Sequence, residues 1–425
     1  MENKNKSAYF AGIALLTTII IQMIFTGMIY NPLSVYTAPI LESFPQFTRA
    51  QYALAFTLMS AICAVANLFL GKLKQLINLR GIVTVGGILM TIGMFLYSRA
   101  NSLGMFYFAA LIVGVAFAFL ASAICGTIIN TWFAKHTGLL VGLTVSLAGL
   151  GGTIFSPMVG KWIAAYGWRH SFMIATIVSA ICTVIMALLF RSEPQQLGLK
   201  PMFYEEKPEA ENVKKDEVVF GPTFAEGRKT VNFWAVVITW LVIGITVYSI
   251  MGIISIYVQD LGYDAASAGL AIAPMFTVNM VMPFVIGWLS DHLHIKWLVA
   301  IGIGMFTIAC VILLMKPALG MIYVVACLTG VGIATGRSTL PMITRAVFGT
   351  RDYAGFIGVF VGVFSGGIAI GSYVIAAIYD KFGSYSSAMY LYLPLLILAI
   401  LAVLFLACRP IKNAEPAVEE AKVEE

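Results

Sequence analysis

Along most of the chain apolar positions run on without the alternation of a strand or the single stripe of a surface helix. Runs of about 20 residues recur, each long enough to cross a hydrocarbon core of about 30 Å. Twelve spans are predicted, near 8–38, 50–71, 80–99, 104–132, 138–163, 169–190, 232–258, 266–289, 297–315, 320–347, 354–378 and 385–408. The stretch 191–231 is of another kind, polar, charged and proline-containing, and reads as a connection between two sets of six. The expected organisation is a six-helix bundle over 1–190, a central loop over 191–231, a second bundle over 232–408 and an acidic, disordered tail over 409–425.

Composition agrees with an all-α membrane protein. Hydrophobic residues make up 60% of the chain and charged ones 11%, against about 25% charged in soluble domains. The first apolar run is too long for the core of a signal peptide, so it is expected to stay as a helix. With the N-terminus inside, only Arg49, Arg99, Lys161, Arg169, Lys316 and Lys381 are basic on the outer side. The excess of inner Lys and Arg places both termini in the cytoplasm of a cell membrane.

Enzyme chemistry is not expected. No nucleotide loop and no nucleophile–base constellation is visible. Cys63, Cys125, Cys182, Cys310, Cys327 and Cys408 lie in or at the ends of apolar runs, without metal-ligand spacing. His136, His170, His292 and His294 fall at helix ends or in loops, so neither a metal nor a cofactor is read. The expected partners are lipid bilayer and a small-molecule cargo, with no nucleic acid, and the chain is expected to work as a monomer.

All 20 acidic residues fall in loops, at helix ends or in the tails. One basic residue does not. Arg337 lies inside the tenth span, with no other charge between Lys316 and Arg345. A charge at such depth costs about 2.5–3.5 kcal/mol on insertion scales. A buried charge calls for a counter-ion, and with no deep carboxylate in the chain, a carboxylate cargo would supply one. The competing reading is structural: Arg337 pairs with a backbone carbonyl or snorkels to the inner end, about 15 Å away.

The halves repeat. Gly71-Lys-Leu73 falls on Gly287-Trp-Leu289 at a displacement of 216 residues, and the same displacement pairs Tyr107 with Tyr323, Gly114 with Gly330, Gly142 with Gly358, Gly151 with Gly367 and Gly167 with Gly383. Arg337 corresponds to Ala121, so the charge belongs to one half only. Duplicated halves suit a transporter, with its site near the midplane between them.

Polar stripes mark candidate cavity walls. Gln22, Thr26 and Tyr30 share one helical face in the first span, with Asn31 beside them. Tyr248, Gly252, Ser255 and Gln259 do so in the seventh. Ser122, Cys125 and Asn130 in the fourth span, Asn67 in the second and Asn279 in the eighth are further polar positions. Each could instead bond between helices. Gly358, Gly362 and Gly366, with Gly138 and Gly142, form small-residue ladders expected to let helices pack closely. Pro157, Pro274, Pro283 and Pro341 are expected to bend helices, with Pro157, Pro341 and the loop residue Asp291 as gating candidates.

Gly287-Trp-Leu-Ser-Asp291-His-Leu-His-Ile-Lys296 resembles the loop motif between helices 8 and 9 of the major facilitator superfamily. The loop Gly71 to Gly81 keeps the glycines and basic residues of its equivalent but lacks the aspartate. Trp132-Phe133, Ser156-Pro157, Gly167-Trp168-Arg169 and Arg191-Ser-Glu-Pro194 resemble the oxalate/formate antiporter and monocarboxylate transporter group. The resemblance implies the major facilitator fold, twelve helices in two pseudo-symmetric six-helix bundles. It also implies a secondary transporter of small organic anions working by alternating access. The group's cation in helix 8, and the lysine that oxalate carriers add in helix 11, have no counterpart here, so a monoanion is the expected cargo. The expected substrate-binding set is Arg337, Gln22, Thr26, Tyr30, Tyr248 and Asn279. Anion exchange is the expected mode; proton symport, or export of amphipathic compounds with Arg337 structural, are the alternatives.

Overall fold

The computed structural model describes residues 2–120, 122–203, 221–315 and 317–407. The acidic tail, the middle of the central loop, and Ala121, Lys316 and Cys408 lie outside them. Among the described residues, eleven helical runs are long and apolar enough to cross a membrane. The longest, Thr137–Leu189, has 53 residues. At about 1.5 Å per residue it is far too long for one hydrocarbon core. It is two spans meeting at Gly167, whose φ of 80° and ψ of 163° suit glycine alone. Twelve spans result.

We number them in chain order. α1 runs through Glu2–Ile20, a π-helical stretch Ile21–Tyr30, a 3₁₀ turn Asn31–Tyr36 and Thr37–Ser43. α2 is Arg49–Leu76, α3 Leu79–Arg99, and α4 comes as two pieces, Leu103–Phe119 and Ser122–Trp132. α5 and α6 are the parts of Thr137–Leu189 before and after Gly167. Then come α7, Val231–Asp260; α8, Ala265–Ser290; α9, Ile295–Leu314; α10, Leu319–Phe348; α11, Tyr353–Phe382; and α12, Ser386–Ala402. The single fourth span read from hydropathy is thus divided, and the first extends to Ser43.

The repeat is visible in how helices start and touch. Thr48 caps α2 and Asp264 caps α8; Asn78 caps α3 and His294 caps α9. Each pair sits at the 216-residue displacement, and each cap accepts an N–H that the first turn leaves unpaired. The Ser267 hydroxyl and amide hold the Asp264 carboxyl below its usual range. Packing repeats in the same way. A side chain added at Gly114 would strike Ile62 and Met59 of α2, and one at Gly330 would strike Val278 and Met275 of α8. Gly86 meets Phe119 as Gly302 meets Thr335. Gly383, like its mate Gly167, takes a positive φ, 67°.

The close helix approaches are not where the ladders led us to expect. Gly27 of α1 lies against Gly151 of α5, so near that a Cβ on Gly27 would stand 2.6 Å from the Gly151 Cα, and Gly244 of α7 lies against Gly367 of α11. Gly138, Gly142, Gly358, Gly362 and Gly366 meet nothing within 4 Å. Gly142 instead lines the cavity between the halves, and the ladder on α11 faces away from its neighbours. α5, α8 and α10 remain continuous across Pro157, Pro274, Pro283 and Pro341.

Exposed apolar stripes replace a polar surface. Ile177, Ile181, Val184 and Leu188 recur on one face of α6, each more than half exposed. Such a face fits lipid and does not fit water.

One end of the molecule, the terminal face, carries the N-terminal segment and both described ends of the central loop. Ser7 donates to the Lys200 carbonyl, and Met202 pairs with Trp132 and Ala134 through backbone hydrogen bonds. At the loop's other end Asp352, between α10 and α11, accepts from the Phe224 amide at 2.7 Å. Each end of the loop is therefore fastened to its own half.

Candidate functional site

The halves meet along α5 with α8 and along α2 with α11. The α5–α8 contacts begin at the distal face, where Gly160 abuts Ala265, and continue through Gly269 against Ser156 to Gly149 against Met280. Beyond Gly149 the glycines of α5 stand open. A cavity of ≈ 530 Å³ fills the space between the halves from mid-depth towards the terminal face. That volume lies within the range of small-molecule sites.

All six residues of the predicted substrate set line it: Gln22, Thr26, Tyr30, Tyr248, Asn279 and Arg337. The stripe on α1 holds together although its backbone is π-helical. A wider turn keeps positions four apart close to one face, and such irregular stretches within a membrane belong where they line a cavity. Asn31 is turned across to α5, donating to the Ala148 carbonyl at 2.9 Å. The Tyr30 ring stacks on Phe117 at 4.1 Å and 9°, forming a flat aromatic wall. Phe117 and Ser146 are lining residues that the sequence reading missed; each looks like an ordinary core or surface position until its helix is placed.

Arg337 is the one charged residue among the described residues of the lining. The backbone behind it is fastened: Trp240 of α7 donates to the Gly336 carbonyl at 2.9 Å, and Gly336 is pressed against Ile243 and Phe364. With that face of α10 closed, the next residue points to the cavity, where its side chain is exposed. The guanidinium forms no ion pair among the described residues and stands 6.0 Å from the Tyr248 ring centre. Tyr248 is 7% exposed, and its hydroxyl makes no hydrogen bond of standard geometry. A cation with its charge unneutralised and a buried hydroxyl sit side by side at one wall. The arginine therefore faces the cavity and not hydrocarbon.

Other predicted positions lie elsewhere. Ser255 is buried, and Gln259 reaches the Val35 carbonyl at 3.5 Å, so the lower part of the α7 stripe belongs to the closed distal side. Cys125 is fully buried and Asn130 is exposed, neither in the cavity lining. Asp291 ends α8, exposed and without an ion pair among the described residues. Pro157 packs against Gly269 at the α5–α8 contact, and Pro341 is exposed within α10.

The distal face is shut by a cluster unread in the sequence. Arg49, the first residue of α2, donates through Nη1 and Nη2 to the two carboxylate oxygens of Asp260, at 2.8 and 2.7 Å. It also donates to the Tyr385 hydroxyl and lies 4.0 Å from the Tyr379 ring centre. Asp380 accepts from the Arg49 and Ala50 amides at 3.2 and 2.8 Å. Every one of these contacts joins the N-terminal half to the C-terminal half. The sequence signal was a carboxylate at the ends of α7 and α11; only the fold brings both to α2.

Two bundles repeated in sequence and contact, with a central cavity open at one face and shut at the other, have the form of an alternating-access carrier. The model of the Major Facilitator Superfamily matches residues 13–315 and 244–424. The chain belongs to that superfamily. It is a multi-pass membrane transporter and not an enzyme. Among superfamily relatives it is 25% identical over 316 residues to the uncharacterized MFS-type transporter YhjX of Escherichia coli strain K12, covering 73% of this chain and 74% of that one. It is 22% identical over 340 residues to monocarboxylate transporter 12 of Xenopus laevis, covering 73% and 70%. A solved bacterial homologue of the human lysosomal transporter Spinster superposes with a TM-score of 0.69 at 16% identity, over 93% of this chain and 94% of that one. That likeness speaks for the superfamily fold.

Proposed function

We propose that the chain carries small organic monoanions of the monocarboxylate kind across a cell membrane, exchanging one anion for another. The observation that supports this most is that Arg337 and Tyr248 stand side by side on a cavity wall that has no carboxylate among its lining residues. A guanidinium offers a carboxylate two parallel N–H donors, and the hydroxyl adds a third. Gln22, Thr26, Tyr30 and Asn279 supply polar contacts to the rest of the cargo. The likeness to a monocarboxylate transporter supports the same reading.

Exchange follows from charge. Moving a bare anion inward opposes a negative interior by about 2.3 kcal/mol per 100 mV. Return of the empty carrier leaves Arg337 without a counter-ion in a closed site. Loaded forms are neutral there in both directions. The chain works as a monomer, with the terminal face and both termini in the cytoplasm. Asp291, Pro157 and Pro341 contribute to the gates.

The test is counterflow in proteoliposomes with labelled formate, lactate, pyruvate, oxalate and larger aromatic acids. Trans-stimulated uptake of a monocarboxylate is expected, with oxalate carried poorly. Arg337→Ala is expected to abolish it while the protein remains folded by size-exclusion chromatography. Wild-type affinity in a folded Arg337→Ala protein would refute the assignment.

A further inference from the structure

Three cavities follow one another along the seam of α1, α2, α7 and α11. The main cavity shares Tyr30, Asn31, Tyr248 and Met251 with a second of ≈ 60 Å³. The second shares Ser34, Phe56, Gly252 and Ser372 with a third, also of ≈ 60 Å³. The third ends on Arg49 and Tyr385. Together they trace the shut half of a route from Arg337 to the distal face, with a guanidinium at each end.

Arg49 belongs to the N-terminal half, and its partners Asp260, Tyr379, Asp380 and Tyr385 all belong to the other. When the halves part at this face, the partners leave together and Arg49 remains on α2 at the mouth of the route. We infer that Arg49 is then the capture site for the carboxylate of the incoming anion, and that Asp260 holds, in the closed state, the position the cargo's carboxylate takes in the open one. This rests on the anion reading proposed above. Three features carry it. The bond to Asp260 is bidentate, so Arg49 already presents its fork to a carboxylate. The guanidinium lines a cavity with room for more than a water, which needs only about 10–15 Å³. The hydroxyls of Ser34 and Ser372 lead from it towards the main cavity. Asp260 and Asp380 make the closed cluster richer in anions than cations, so an arriving anion competes with groups that the opening motion removes.

A simple latch predicts something different, which makes the idea testable. Arg49→Gln and Asp260→Asn both break the latch, and both are expected to raise labelling of a Ser34→Cys reporter from the distal face. If Arg49 also captures cargo, the two variants move half-saturation at the distal face in opposite directions. Arg49→Gln raises it roughly tenfold, the loss of one charge-assisted pair, and Asp260→Asn lowers it. Half-saturation at the terminal face, measured in vesicles of opposite orientation, stays within about twofold. Arg49→Lys, which keeps the charge and loses the fork, falls between wild type and Arg49→Gln. If Arg49→Gln and Asp260→Asn shift the distal value in the same direction, capture is overturned and the cluster is a latch only. If wild type exchanges no carboxylate at all, the anion reading itself falls and capture falls with it.

Discussion

At the scale of single residues, the site turns on Arg337 and what stands beside it. Its charge was legible because no other charged residue stands between Lys316 and Arg345. Its setting was not, since exposure to the cavity depends on Trp240 and Phe364 closing the other side of the helix. The Tyr248 hydroxyl carries a separate prediction. It is buried with no hydrogen bond of standard geometry, so Tyr248→Phe removes little that holds the fold. Thermal stability is expected to be unchanged or slightly higher. Half-saturation for the preferred anion is expected to rise about threefold to tenfold in counterflow, the value of one hydrogen bond to a charged group. Unchanged half-saturation would remove Tyr248 from the site.

At the scale of elements, the helices divide by how their glycines are used. Where α1 meets α5, Gly27 and Gly151 leave no room for a side chain. Gly151→Val therefore must push the two helices apart or force strained rotamers, at a cost of about 1–3 kcal/mol. A lower melting temperature in detergent, with the protein still monodisperse, is the expected reading. Gly142 shares the helix and makes no such contact. Gly142→Leu is expected to leave the melting temperature within a degree or two, since surface-like substitutions lie within about 0.5 kcal/mol. Its effect should fall on turnover, because a large side chain on the cavity wall obstructs closure at the terminal face. Sequence spacing marked Gly142 as a packing glycine and Gly151 only as the repeat mate of Gly367. It could not tell which of them meets a neighbour, because a small-residue ladder reads alike whether its partner is near or withdrawn.

At the scale of the whole molecule, the two halves touch over the distal part of α5 with α8, are fastened by the Arg49 cluster, and stand apart around the cavity. A single bidentate pair near a surface contributes little by itself, about 0–1 kcal/mol. The cluster gains from combination: a fork on Asp260, two amides on Asp380, a hydroxyl and an aromatic face all act across one seam. A gate of this modest strength suits a carrier whose two states must interconvert at working rates. The central loop fits the same picture, fastened to one half at Met202 and to the other at Phe224.

The sequence by itself determined that the chain crosses a membrane, how often, and that its halves are copies. These follow from local quantities: the length of apolar runs, and glycines such as Gly167 and Gly383 that recur at one displacement along the chain. It also marked Arg337, Gln22, Thr26, Tyr30, Tyr248 and Asn279, since polarity in an apolar span is itself a local signal. Only the tertiary structure decided which of the polar stripes reach one cavity, which end of that cavity is shut, and that Arg49 meets Asp260 and Asp380. Those contacts join residues more than two hundred positions apart. No spacing along the chain encodes them, because they arise from how two folded bundles lean on one another.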